Sequence, residues 1–117
     1  MAYALSVELH VALRSMAIST NQLNELKRRF LDRCRDNLVA LKGAAQDARA
    51  MEPGEQREAL VRIAHSLAGT GGIFGFPILS EKASHLETFL LSGQIDRSSF
   101  DTLLQNLVSE LEAMPGG

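Results

Sequence analysis

Tryptophan is absent from this 117-residue chain, tyrosine and cysteine occur once each, and proline only three times. With a net charge of -2 and so few rings to stack on bases, the chain lacks the cations and aromatics from which a nucleic-acid groove is built. The lone Cys34 excludes an intramolecular disulfide, and its apolar neighbourhood reads as a small buried thiol in a reducing cytoplasm. No stretch approaches the ~18 uninterrupted apolar residues that span a membrane. The opening "MAYALSVELHVALRSM" has no basic start and is interrupted by Glu8, His10 and Arg14, so it reads as an amphipathic helix and not as a signal peptide.

Apolar residues make up 45% of the chain and charged residues 22%, ordinary values for a globular protein. The length allows one core, so a single, monomeric domain over residues 1–117 is expected. Scarce proline and runs rich in Leu, Ala, Glu and Arg favour helix, and no strand alternation, internal repeat or low-complexity linker interrupts them.

Five helical segments follow from periodicity and punctuation. A short first one, about Ser6 to Met16, is expected to pack across one end of the others. The second begins at "STNQ", where Ser19 and Gln22 have capping-box spacing, and carries Leu23, Leu26, Phe30, Cys34, Leu38, Leu41 and Ala45 on one stripe. Pro53 is placed in the first turn of the third, which runs through His65 toward Gly75. Gly75 ends it, Pro77 opens the fourth with the stripe Leu79, Ala83, Leu86 and Leu90, and Gly93 closes that one. Asp96 or Ser98 caps the fifth, with Phe100, Leu103, Leu107, Leu111 and Met114 inward. Four long amphipathic helices on short connections predict an all-α, antiparallel up-down-up-down four-helix bundle with a short extra amino-terminal helix.

One stretch works against stability. "AHSLAGTGGIFGF", Ala64 to Phe76, sets four glycines behind a histidine, although each interior glycine costs about 1 kcal/mol relative to alanine. At about 100° per residue, Leu60, Ile63, Leu67, Thr70, Gly71 and Phe74 fall opposite His65, which therefore faces solvent. Val61 and Arg62 lie one turn before it on its own side, and Ala68, Gly69 and Gly72 one and two turns after. Helical side chains lean toward the preceding turn, so Ala68 and Gly69 leave the imidazole standing on nearly bare backbone. Gly71, near the edge of the apolar stripe, is read as permitting close helix packing.

At these residues the chain resembles the histidine-phosphotransfer (HPt) domain family, whose signature His-x-Leu-Lys-Gly is followed by small residues, a glycine and an amphipathic helix with Leu-Glu. Here the stretch is "HSLAGTGGIFGFPILSEKASHLE", in which His65, Leu67, Gly69, Gly75, Leu86 and Glu87 match. The resemblance implies that His65 is the phospho-accepting residue, taking a phosphoryl group from a response-regulator receiver or from the receiver of a hybrid histidine kinase and passing it to another receiver. It implies no cofactor in this chain, since the receiver brings the magnesium and the acidic pocket, and no ATP site, so the domain relays phosphate without being a kinase. The family's lysine three residues after the histidine is Ala68 here. Arg62, on the histidine's side one turn earlier, is the residue read as a partial substitute, and Arg62, Ala68, Gly69 and Gly72 are expected to line the site.

Other chemistries fare worse. "GTGGIFG" has no P-loop lysine, misses the G-x-G-x-x-G spacing and follows a helix. His10, His65 and His85 have no ligand spacing, so no metal is expected. His85 sits at the flank of the Leu86 stripe, where pairing with Glu81 or Glu87 is open to it. The cations of "KRRFLDRCR" are spread around their helix and read as solvated surface, not a patch. The reading that competes is an HPt-like adaptor that binds receivers or kinases without being phosphorylated.

Overall fold

The computed structural model describes residues 19–115. The expected first helix, Ser6 to Met16, lies outside them. Four α-helices follow: α1 (Thr20–Ala45), α2 (Glu55–Ile73), α3 (Pro77–Leu91) and α4 (Arg97–Glu112), with a 3-10 turn at Ala48–Met51 between the first two. They form the antiparallel four-helix bundle read from the sequence, and no strand occurs among the described residues.

Local chemistry fixes the ends. Ser19 Oγ accepts from the Gln22 amide at 3.1 Å while Gln22 Oε1 accepts from the Ser19 amide at 2.8 Å, the reciprocal box that satisfies two orphan donors of α1. Asp96 does the same singly for α4, accepting from the Ser99 amide at 2.8 Å. Gly75, at φ +88°, turns the chain out of α2 in a backbone region that disfavours a side chain, and Pro77 starts α3 two residues later.

Pro53 does not open α2. After Ala45 the chain winds through the 3-10 turn, where Asp47 accepts from the Arg49 amide at 3.0 Å, and α2 begins only at Glu55. The Arg57 guanidinium donates back to the Met51 carbonyl and ties that turn to α2. A second departure concerns Leu23 and Leu26, each 38% exposed although they continue the apolar stripe. At 26 residues α1 is about 39 Å long, and its partners have 15 to 19 residues, so its first turns run past the bundle's end.

The core itself is where periodicity put it. Leu41, Ala64, Leu86, Phe100 and Leu107 are fully buried, with Leu79, Ala83 and Leu90 along α3. Phe30 stacks on Phe74 and Phe76 with ring centroids 4.9 and 5.9 Å away, tying α1 to the α2–α3 connection. The closest helix pair is α2 with α3. Gly71 makes that approach possible: a Cβ there would stand 3.1 Å from the Ser80 nitrogen and 3.2 Å from the Phe76 oxygen, both backbone atoms. Beside it, Ser80 Oγ donates to the Ala68 carbonyl.

Candidate functional site

His65 stands at the middle of α2 between Ala64, buried, and Leu67, buried two residues on, which pin its helix to the core while its own side chain is 76% exposed. The outward projection read from the helical wheel is therefore correct. Arg62 and Gly69 are exposed, Ala68 and Gly72 half-buried. Nothing lies within 4 Å of where a Gly69 Cβ would be, so this glycine opens surface and, unlike Gly71, serves no packing contact.

The imidazole is not free at both nitrogens. His65 Nδ1 lies 2.7 Å from Glu87 Oε2 on α3, and the Glu87 side chain is only 19% exposed. An ionised carboxylate only accepts, so the ring nitrogen facing it carries the hydrogen. In the neutral ring the unprotonated nitrogen is then Nε2, on the solvent side, with a lone pair available to an electrophile. A buried-edge carboxylate thus sets both the orientation and the tautomer of an exposed nucleophile.

In the sequence Glu87 stands out only as part of a Leu-Glu match and as an acid within reach of His85. The structure pairs it with His65 instead. One signal could have found this: in a tight antiparallel helix hairpin, residues equidistant from the turn face each other, and His65 and Glu87 are each eleven residues from Phe76. Among the cations of α2 and α3, Arg57 is tied to the Met51 carbonyl and Lys82 to Glu110 at 3.3 Å. Arg62 makes no hydrogen bond or ion pair with a described residue.

The surrounding surface offers little else. A groove between the end of α1 and the start of α2 is lined by Ala40, Gly43, Ala44, Asp47 and Leu60, and His65 is not part of it. No group of three or more metal-ligating side chains occurs among the described residues. The arginine cluster on α1 is laced with acids: Arg28 pairs with Glu25 and Asp32, Arg29 with Glu25, and Arg35 with Asp32. Cys34 is 3% exposed, and burial pushes its thiol up to about 11, which makes it a packing residue and not a nucleophile.

A bundle that carries one exposed, carboxylate-oriented histidine amid small residues agrees with the family comparison, in which the Hpt domain model matches residues 25–114. The chain belongs to the Hpt domain family. Comparison with curated proteins and with solved structures gave no significant match. Membership of this family places the chain in histidine phosphotransfer of two-component signalling, where Hpt domains are phosphocarriers that interact with receiver domains and kinases. No helix among the described residues is long and apolar enough to cross a membrane.

Proposed function

We propose that this Hpt domain accepts a phosphoryl group on Nε2 of His65 from the phospho-aspartate of a receiver domain, free or attached to a hybrid histidine kinase, and delivers it to the aspartate of another receiver. The observation that carries this reading is the His65–Glu87 pair, which leaves an exposed lone pair at Nε2. In the forward step that lone pair attacks phosphorus, the N–P bond forms, and the P–O bond of the acyl phosphate breaks with its electrons leaving on the aspartyl oxygen. Nε2 has no proton to shed, and the positive charge that the ring gains is met by the Glu87 carboxylate at Nδ1. The reverse sequence unloads the phosphoryl group onto the next receiver.

Division of labour follows. The receiver contributes magnesium and its acidic pocket, while this chain contributes the imidazole, the carboxylate behind it and an unobstructed approach over Ala68, Gly69 and Gly72. It needs no cofactor of its own, acts in the cytoplasm, and works as a monomer, with neither nucleic acid nor membrane as partner.

Incubation with a radiolabelled phospho-receiver tests this. Acid-labile, base-stable label on the wild type that His65→Gln removes is the expected result. A stable complex with the receiver and no label would overturn it in favour of a non-phosphorylated adaptor, a reading for which the alanine at position 68 is the motivating feature.

A further inference from the structure

We infer that Arg62 is the counter-cation of the phosphorylated site, held in reserve one turn from His65 until a phosphoryl group arrives. This rests on the reading that His65 is phosphorylated. A phosphoryl group brings close to two negative charges at neutral pH to a ring that already has the Glu87 carboxylate against its other nitrogen. Such a concentration of one sign favours a nearby cation. The two helices that build the site supply three lysine or arginine side chains, Arg57, Arg62 and Lys82. Two are committed, Arg57 to the Met51 carbonyl and Lys82 to Glu110. Arg62 alone of these is exposed and has no partner among the described residues.

Its placement suits the phosphoryl position. Three residues before His65, Arg62 is its neighbour on the helix surface, rotated by about 60° around the axis. Ala68 is rotated by about the same amount in the opposite sense, and its carbonyl accepts from Ser80 of α3, so position 68 marks the flank toward α3 and Arg62 the flank away from it. Glu87 holds Nδ1 on the α3 side, and Nε2 lies across the ring from it. A guanidinium coming from the Arg62 flank meets the phosphoryl oxygens without passing Glu87.

The test uses the intact protein and phosphoramidate, which phosphorylates imidazole without a protein partner: its P–N bond breaks, ammonia leaves, and the N–P bond to Nε2 forms. The readout is the second acidity constant of the phosphoryl group, followed by its phosphorus NMR shift against pH. Arg62→Ala is expected to weaken that acidity roughly two- to fivefold at low salt, the scale of an exposed charge pair. Arg62→Lys should restore most of it, and 1 M salt should erase the difference between the variants. An acidity constant indifferent to Arg62→Ala overturns the inference alone. Failure of phosphoramidate to produce a phosphohistidine that His65→Gln eliminates overturns the proposed function as well.

Discussion

His65 and Glu87 are separated by 22 positions in the chain and by 2.7 Å between Nδ1 and the carboxylate oxygen. Because Glu87 is largely buried and His65 largely exposed, the carboxylate is the fixed member and the ring the oriented one. With the imidazole 76% exposed, water competes for the contact, and the pair adds little to stability, about 0 to 1 kcal/mol. Its importance is chemical.

Glu87→Ala should accordingly separate chemistry from folding. Without the acceptor at Nδ1 the proton is free to move to Nε2, removing the nucleophilic lone pair. Nitrogen NMR of the ring should show Nδ1–H in the wild type and a mixed or reversed tautomer in the variant. Phosphoryl transfer from a receiver should fall by roughly a hundredfold, at the low end of acid–base losses, with a urea midpoint nearly unchanged.

The two glycines Gly69 and Gly71 should respond oppositely to alanine. At Gly71 the new methyl group meets backbone atoms of α3 at 3.1 and 3.2 Å, so the helices must part, at a cost of about 1 to 3 kcal/mol. At Gly69 the methyl group meets nothing, and better helix propensity should add about 0.5 to 1 kcal/mol. Urea denaturation of the two single variants reads both signs.

Cys34 makes the bundle sensitive to alkaline pH. Its thiol is pushed up to about 11 in the folded protein, against about 8.5 in an unfolded chain. Between those values the unfolded chain binds fewer protons than the native one, so native stability declines as pH rises. Relative to Cys34→Ala, the wild type should lose on the order of 2 to 3 kcal/mol from pH 8 to 11, with its full stability contribution intact below pH 8. Iodoacetamide at neutral pH should leave the native thiol unmodified and label it in urea.

Phe30→Ala should cost about 3 to 5 kcal/mol, as removal of a buried ring does. Phe30 is 6% exposed and stacks on both Phe74 and Phe76, so its loss also unpins the connection between α2 and α3. A lower thermal midpoint together with faster amide exchange at Phe74 and Phe76 is the expected signature.

Much of this architecture was legible before any coordinates. Ser19 with Gln22, the stripe from Leu79 to Leu90, the Gly75 turn with Pro77 and the outward face of His65 are all local relations, fixed by a period of 3.6 and by capping chemistry. What escaped is non-local or depends on length. Leu23 and Leu26 follow the stripe, but periodicity does not say where the partner helices stop. Pro53 suits a first turn, yet the 3-10 turn at Ala48–Met51 uses up chain ahead of α2. Glu87 belongs to the site through the register of two helices, which spacing within either one does not encode.

Gly71 connects that register to the chemistry. By seating the α2 backbone against Ser80 and Phe76, it works as a detent that stops one helix from sliding along the other. A slip of a single turn, about 5.4 Å, would carry the carboxylate past the ring and leave the protein folded but mute. Tolerance to insertion in this molecule should therefore be lowest not around the histidine itself but in the few residues of the bend, where the phase between the two rods is set.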